Sequence, residues 1–178
     1  MRRVVTGHDA QGRSVVVDDG IAPRTHEFAS LPGFVSSVVW ATDADVPVSK
    51  VGEDPTGKTE SLLPGPGGTR LILLTLPPDA VMGTPAFDGP GYVAEQLAHS
   101  PGLAETFEAD GMHTTPTVDY TIVLDGEVWL ELDDGQLTHL AAGDVVVQNA
   151  TRHGWRNRSD TPVTLAAILI GTTPERSV

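Results

Sequence analysis

Short apolar runs, separated by glycine, proline and aspartate, make up most of the chain and predict a protein built mainly from β-strands. The first half carries three runs rich in β-branched or aliphatic residues, over 13–18, 34–41 and 70–76. Runs of this length between turn-forming residues are typical of strands. The segment over 42–69 is rich in Asp, Pro and Gly, which predicts a long loop without a catalytic motif.

The second half repeats this pattern at closer spacing. Strands are predicted over 120–124, 127–132, 144–148, 154–157 and 163–170. Strands about ten residues apart with turn signals between them indicate a β-sandwich or barrel. One helix is predicted around 92–99, and it ends before Pro101-Gly102.

Asp125-Gly126 is the strongest turn signal, and it predicts a two-residue hairpin between the strands on either side. Paired and alternate residues of such a hairpin share a face. One predicted face carries Asp119, Thr121, Val123, Val128, Leu130 and Leu132. The other carries Tyr120, Ile122, Leu124, Glu127, Trp129 and Glu131. The first face is the more apolar, so Asp119 is predicted to be a carboxylate that faces the interior.

A carboxylate in an apolar interior is unfavourable unless it is paired, metal-bound or protonated. The predicted partners of Asp119 are His113 and His153, because this region has no lysine and its arginines have the opposite strand parity. Two imidazoles and one carboxylate are the ligand set of non-haem Fe(II) oxygenases, and with a water they suit a catalytic zinc. An acid–base site is the other interpretation of the same three groups.

Composition narrows the classes of function. The chain has 178 residues, enough for one domain with a substantial core, and a net charge of -13 that argues against nucleic acid and anionic membranes as partners. It has no cysteine, which excludes disulfides and thiolate metal sites. No apolar run of signal-peptide or membrane-span length follows Met1, so we expect a cytoplasmic location.

Two segments, 111–126 and 143–157, resemble the two sequence motifs of the cupin superfamily, and are most similar to its small single-domain cupin 2 barrels. The first motif has two histidines, a glutamate and a glycine, and the second has a glycine, a proline turn, a histidine and an asparagine. The residues on those positions here are His113, Asp119, Gly126, Gly143, His153 and Asn157. The resemblance covers roughly residues 105–171 and implies an all-β double-stranded β-helix, or jelly-roll, barrel.

The departures from the family pattern affect the implied metal site. Thr115 stands where the first motif has its second histidine, Asp119 is shorter than the usual glutamate, and residues 148–151 replace the proline turn. The implied ligands are therefore His113, Asp119 and His153, holding Fe, Mn, Ni or Zn, and a site without metal remains equally open. The same three residues are the candidate catalytic groups.

Five further residues are candidates for substrate binding. Trp155 has the strand parity of His153, and Thr115 has that of Asp119. Gln148 and Asn149 lie in the altered turn near the expected barrel mouth, and Arg70 is a possible partner for an anionic substrate.

We expect residues 81–178 to form the barrel, and residues 1–80 to add an N-terminal strand extension and a loop to the same domain. This extension resembles the strands that many cupins exchange in a homodimer, which would also cover exposed sheet edges. A second copy and a small-molecule substrate are the expected partners, and nucleic acid and membranes are not.

The resemblance implies a small-molecule enzyme without fixing its reaction. The leading hypothesis is a metal-dependent lyase or isomerase, of decarboxylase or dehydratase type, acting on a small organic acid or a secondary-metabolite intermediate. A non-haem Fe(II) dioxygenase is the second hypothesis. A non-catalytic, metal-free ligand-binding cupin is the third.

Overall fold

The structure, a computed structural model, describes residues 1–44 and 54–173. These residues contain eleven β-strands and one α-helix, α1 (Gly89–His99). The strands are β1 (Arg2–His8), β2 (Ser14–Ile21), β3 (Arg24–Glu27), β4 (Val35–Thr42), β5 (Thr69–Leu76), β6 (Thr117–Asp125), β7 (Glu127–Glu131), β8 (Leu137–Ala141), β9 (Val145–Asn149), β10 (Gly154–Arg156) and β11 (Val163–Gly171). No helix in the described ranges is long and apolar enough to cross a membrane.

The strands form three antiparallel sheets. The largest has the order β3-β4-β5-β11-β6-β9, the second has the order β10-β7-β8, and β1 pairs with β2 alone as a two-stranded ribbon. The first two sheets share one apolar cluster, to which β6 and β11 contribute from one side and β7 and β8 from the other. The predicted all-β jelly-roll class is therefore confirmed.

All eight strands predicted from the sequence are present with shifted ends, and so is the helix. The strands missed were β1, β3 and β8. Their inward-facing apolar residues are few, and in β8 Leu140 alone is buried, so the two-residue period is hard to see in the sequence. Of the loop predicted over 42–69, residues 45–53 lie outside the described residues, and Pro55–Lys58 forms a 3-10 turn.

The hairpin predicted at Asp125-Gly126 is wrong. β6 pairs with β9 and β11, whereas β7 pairs with β8 and β10, so the chain passes at Gly126 from one sheet to the other. Gly126 has φ +79°, and a Cβ there would lie 2.9 Å from the carbonyl oxygen of Pro162, so a side chain is excluded at this corner.

The predicted inner face is nevertheless confirmed. Strand alternation does not depend on which strand is the neighbour, and the corner is short enough to keep it continuous from β6 into β7. The buried members of this face are Asp119, Thr121, Val123, Val128 and Leu130. Leu132 is partly buried and packs against the same cluster.

The inner face of the six-stranded sheet changes from apolar to polar along the strands. At one end Leu74, Leu165 and Val123 lie side by side across β5, β11 and β6. Four residues further along, the register places a second set side by side across β5, β11, β6 and β9. We call this set the polar row, and it consists of Arg70, Leu169, Asp119 and Gln148, all buried.

The first 80 residues are tied closely to the rest of the protein. β3, β4 and β5 belong to the same sheet as β11, β6 and β9. Arg3 holds the ribbon against this sheet, because its buried guanidinium pairs with Asp18 and Asp54, donates to Val39 O and lies over the ring of Trp40. The ribbon is thus anchored by one buried cation while its own strands remain outside the main sheets.

Candidate functional site

Two histidines lie side by side where the chain enters β6 and β10. His113 and His153 form an isolated antiparallel bridge, in which the amide of each donates to the carbonyl of the other, at 2.8 and 2.9 Å. The centroids of their rings are 4.2 Å apart, and both side chains are buried. The backbone therefore fixes the distance between two imidazoles that are 40 positions apart in the sequence.

Both rings are oriented by main-chain carbonyls. Nδ1 of His153 lies 2.9 Å from Thr151 O, and Nδ1 of His113 lies 3.3 Å from Gly111 O. A carbonyl oxygen only accepts hydrogen bonds, so the ring hydrogen sits on Nδ1 in each neutral imidazole. The lone pair of each Nε2 is then available to take a proton or to coordinate.

Burial keeps both imidazoles uncharged at neutral pH. Burial first, and then the neighbouring His153, lower the pKa of His113 to about 4. Burial also lowers the pKa of His153, although the hydrogen bond to Thr151 and the charge of Asp119 act in the opposite direction. At neutral pH these side chains are therefore bases rather than cations.

Asp119 is the buried carboxylate predicted from strand parity. Its Oδ2 accepts a hydrogen bond of 3.3 Å from the Thr115 hydroxyl, which in turn accepts one of 2.8 Å from Thr117. Burial raises the pKa of Asp119, while the two threonine hydroxyls and His153 lower it. Its Oδ1 has no hydrogen-bond partner among the described residues, a deficit that ordinarily costs about 1–3 kcal/mol.

Gln148 lies directly across from Asp119 in the pairing of β9 with β6. Its side chain is buried, and its Nε2 has no hydrogen-bond partner in the part of the chain that the structure describes. An unpaired donor and an unpaired acceptor therefore lie next to each other inside the barrel. Such groups are rare in folded proteins, and each of them calls for an explanation.

The geometry also bears on whether the three groups implied as ligands can hold a metal ion. Imidazole Nε2 atoms and a free carboxylate oxygen are metal-type donors. Over residues 1–44 and 54–173, however, no three His, Cys, Asp or Glu side chains are grouped so that they could hold a metal ion. His113, Asp119 and His153 therefore do not fit the three-ligand centre that the resemblance implies. Two neutral bases beside a buried carboxylate fit acid–base chemistry better.

Two of the predicted substrate-binding residues lie at this site. Thr115 is buried and donates to Asp119. The partly buried ring of Trp155 meets that of His153 edge-on, with centroids 5.9 Å apart, and also packs against the apolar cluster. Through its contact with the apolar cluster, Trp155 belongs to the core as well as to the site.

Two other predicted residues take no part in the site. Asn149 follows Gln148 on β9 and therefore points outward, where it is exposed. Arg70 is buried, but its guanidinium donates to the carbonyls of Ser61, Thr42 and Thr69 and pairs with Asp43. The guanidinium of Arg70 thus hydrogen-bonds to the protein itself, and the prediction that it binds an anionic substrate is wrong.

Phe107 is a neighbour of the site that sequence reasoning missed. Its ring centroid lies 4.4 Å from that of His113, and it follows the short 3-10 turn Ala104–Thr106. Nothing in the periodic pattern identifies a single aromatic residue in a loop, so only the fold brings it to the imidazole.

A groove of about 330 Å³, open to solvent, lies outside this site. Its walls come from the turn after β7 and from the loop before β10, and its lining consists of Leu132, Asp133, Asp134, Gln136, Thr151 and Arg152. None of the candidate residues lines it, and its link to the site is Thr151, whose carbonyl orients His153.

Comparison with known proteins finds a family match in the second half of the chain. Residues 104–170 match the Cupin_2 family, described as a cupin domain. Over 50 residues the chain is 56% identical to phomopsin biosynthesis cluster protein C' of Diaporthe leptostromiformis, covering 28% of this chain and 26% of that protein. Over 84 residues it is 37% identical to oryzines biosynthesis cluster protein J of Aspergillus oryzae, covering 47% and 44%.

A longer match is weaker in identity. Over 155 residues the chain is 26% identical to the cupin-domain-containing oxidoreductase fogC of Aspergillus ruber, covering 87% of this chain and 63% of that protein. In all three relatives the match spans less than two thirds of the relative's own length. The matched family segment contains the two histidines, Asp119 and Gln148, and spans β6 to β11, which form the three-stranded sheet and half of the six-stranded one. Residues 104–170 of this chain are therefore similar to cupin domains of the Cupin_2 family.

Proposed function

We propose that this protein is an enzyme of secondary metabolism that acts on a small organic molecule inside the cupin barrel, as a lyase or isomerase of the acid–base type. The observation that carries the proposal is the pair of neutral imidazoles, each with a free Nε2, beside a buried carboxylate with an unpaired oxygen. The names of the relatives, which place them in biosynthesis clusters, support a role in secondary metabolism.

In this proposal His153 is the general base. Its Nε2 takes a proton from the substrate carbon next to a carbonyl, and the imidazolium that forms is stabilised by the negative charge of Asp119. The proton then returns from Nε2 to another substrate atom in an isomerisation, or to a departing hydroxyl in a dehydration, which releases water. Nδ1 keeps its hydrogen on Thr151 O throughout, so the ring does not rotate between the two transfers.

His113 and the two threonines have supporting roles in the same proposal. His113 lies against His153 and remains neutral, so it adds no positive charge that would oppose protonation of His153. Thr115 donates to Asp119 and Thr117 donates to Thr115, and both hydroxyls favour the ionised form of Asp119. No step of this mechanism passes through a metal ion.

An oxidoreductase is the second candidate function, because relatives that match most of this chain are called cupin-domain-containing oxidoreductases. It corresponds to the Fe(II) dioxygenase hypothesis, with His113, Asp119 and His153 as the candidate ligands. It requires a side-chain arrangement different from the one described, in which these three do not form a metal-holding group. Oxygen consumption that depends on both substrate and added Fe(II) would support it.

Hydrogen–deuterium exchange tests the leading proposal without knowledge of the natural substrate. The protein is incubated in D₂O with a panel of small ketones, 2-oxo acids and 3-hydroxy carbonyl compounds, and loss of the α-proton signal is followed by NMR. We expect exchange with at least one compound, abolished by His153→Ala and unchanged by His139→Ala, because His139 is exposed and bound to Glu127. The absence of exchange above the blank with every compound would contradict a lyase or isomerase.

We also propose that the protein is a homodimer. The ribbon of β1 and β2 lies outside the two main sheets and exposes the apolar side chains of Val4, Val16 and Ile21. A second copy would cover them. Light scattering at micromolar concentration should give about twice the chain mass of 18.7 kDa, and a monomer mass would argue against this assembly.

A further inference from the structure

The strongest unexplained feature inside the barrel is the pair formed by Asp119 and Gln148. Their Cα atoms are partners in the antiparallel pairing of β6 and β9, so their side chains share the inner face. Only 5% of Asp119 and 4% of Gln148 is exposed. Oδ1 of Asp119 accepts hydrogen bonds and Nε2 of Gln148 donates them, and neither atom has a partner among the described residues.

The neighbours of the pair do not satisfy it. On the other side of Asp119 in the sheet lies Leu169, which is apolar, and the Thr115 hydroxyl is directed to Oδ2 rather than to Oδ1. The two free atoms also make no hydrogen bond to each other, although their strands are adjacent. Cβ atoms of such cross-strand partners are about 5 Å apart, close enough for both side chains to reach one small group.

The chemistry of the pair restricts what binds there. The ligand must present a hydrogen-bond donor to Asp119 and an acceptor to Gln148 on the same edge. A carboxylate ligand would bring a second negative charge next to Asp119, in a protein whose net charge is already -13. A neutral amide carries one donor and one acceptor, but an ordinary trans amide directs them to opposite sides. Among amides, a primary amide and a lactam direct both to one edge.

We propose that Asp119 and Gln148 bind the N–H and C=O edge of a primary carboxamide or a lactam, with N–H donating to Oδ1 and C=O accepting from Nε2. This inference deepens the proposed function, on which it rests in one respect, namely that the barrel interior is the substrate site. It assigns the substrate class: a small, neutral molecule with a carboxamide or lactam next to the carbon that His153 deprotonates.

The probe for the test is 2-pyrrolidinone, one of the smallest lactams, with N-methyl-2-pyrrolidinone as the analogue that lacks the donor. Binding is measured by titration of the ¹⁵N-labelled protein, followed by NMR. We expect the lactam to bind at least about tenfold more tightly than its N-methyl analogue, because the analogue leaves Oδ1 unpaired. Equal binding of the two, or no binding of the lactam, would overturn the proposal.

Variants locate the binding in the pair. Gln148→Glu replaces the donor with an acceptor and should weaken lactam binding at least about tenfold. Asn149→Asp adds the same charge on the same strand but on the exposed outer face, so it should leave binding within about twofold of the wild type. If Gln148→Glu binds the lactam as well as Asn149→Asp does, Gln148 is not the donor.

A double replacement gives the sharpest result. Asp119→Asn together with Gln148→Glu exchanges the donor and the acceptor between β6 and β9 while the net charge is preserved. A lactam that binds in the reversed orientation can then accept from residue 119 and donate to residue 148. The double variant should therefore recover most of the affinity that each single variant loses. If the losses of lactam affinity in the two single variants simply add in the double variant, the paired arrangement is contradicted. The ¹H–¹⁵N spectra verify that each variant is folded.

Two controls separate this proposal from the proposed function and from a metal site. His153→Ala should bind the lactam normally while losing deuterium exchange, so a failure of catalysis leaves the binding result intact. Elemental analysis of the purified protein, without chelator, should show no stoichiometric metal that disappears in Asp119→Asn. A metal lost in that variant would mean that Oδ1 is a ligand, which overturns the proposal.

Discussion

The polar row contains two buried charges that the protein treats in opposite ways. Arg70 is 4% exposed and Asp119 is 5% exposed, and Leu169 alone separates them across the sheet. The Arg70 guanidinium makes four hydrogen bonds, to three carbonyls and to Asp43. Asp119 accepts one hydrogen bond of 3.3 Å, and its other oxygen is unpaired within the described residues.

The contrast distinguishes a structural charge from a functional one. A buried charge that is paired mainly with main-chain carbonyls fixes loops in place, and for Arg70 these loops are the segments around Thr42 and Ser61. A buried charge with an unpaired atom is unfavourable for the folded state alone. In the function proposed above, an incoming molecule completes the hydrogen bonding of this atom, and burial raises the pKa of Asp119.

The largest expected effect lies at the Asp119 end and is kinetic. Asp119→Asn removes the charge that stabilises the His153 imidazolium, so we expect the exchange rate to fall by about 10²–10⁴-fold, the usual contribution of acid–base catalysis. The free energy of unfolding should stay level or rise, because a poorly paired buried charge is lost. NMR exchange rates and urea unfolding measure the two quantities, and a large loss of stability without loss of rate would reverse the assignment.

At the Arg70 end the expected effect is on stability. Arg70→Met leaves the carbonyls of Ser61, Thr42 and Thr69 without their donor, and we expect the free energy of unfolding to fall by about 3 kcal/mol. The variant is assayed well below its unfolding midpoint, where lactam binding should match that of the wild type. Loss of binding in a folded Arg70→Met protein would show that both ends of the row belong to the site.

The free energy of unfolding is expected to depend on pH through His113. The folded pKa of His113, about 4, lies below the ordinary value for histidine. Between about pH 6.5 and 4 the unfolded chain therefore binds the proton that the folded protein does not, and stability falls as the pH falls. For His113 this loss amounts to about 2–3 kcal/mol by pH 4.5, and the raised pKa of Asp119 offsets part of it.

Urea unfolding of the wild type and of His113→Gln at pH 7 and pH 4.5 checks this prediction. The drop in the free energy of unfolding between the two pH values should be smaller in the variant, because glutamine does not titrate. If both proteins lose the same amount, other groups control the acid response. Burial lowers the pKa of His153, so the rate of exchange should fall only at a pH below the ordinary histidine range, where the protonated imidazole cannot act as the base.

The smallest effect is expected one residue beyond the polar row. Asn149→Ala changes an exposed side chain on the outer face of β9, so stability and exchange rate should both stay within about 0.5 kcal/mol of the wild type. Gln148→Leu, its inward neighbour, should weaken lactam binding. Equal effects of the two changes would mean that strand alternation does not separate site from surface here.

Much of the inner face could be predicted from the sequence because strand alternation is a local property. Parity with Val123 and Leu130 predicts that Asp119 faces the interior, and the structure confirms this although β6 and β7 lie in different sheets. The signal at Asp125-Gly126 specifies a sharp turn, but whether the chain reverses within a sheet or crosses to another depends on which strands are available as partners. That information is not local.

The remaining errors have the same origin. The partners of Arg70 come from residues 42–43 and from Ser61, and no pattern around position 70 shows that its donors are already used. The family motif identifies His113, Asp119 and His153 by position, yet only the fold shows which atoms are free and that the three are not grouped around one ion. Phe107 was missed because a single ring in a loop has no periodicity.

The bridge between His113 and His153 is made by main-chain atoms, and main-chain hydrogen bonds are the same for every residue except proline. The two positions can therefore carry different side chains while the main-chain bridge between them is retained. An engineer who wants another reaction in this barrel has a fixed pair of attachment points, one at the entry to each of two strands, whose spacing survives the exchange of the imidazoles. The imidazoles of this barrel can be exchanged, whereas the main-chain bridge that sets their spacing has to be kept.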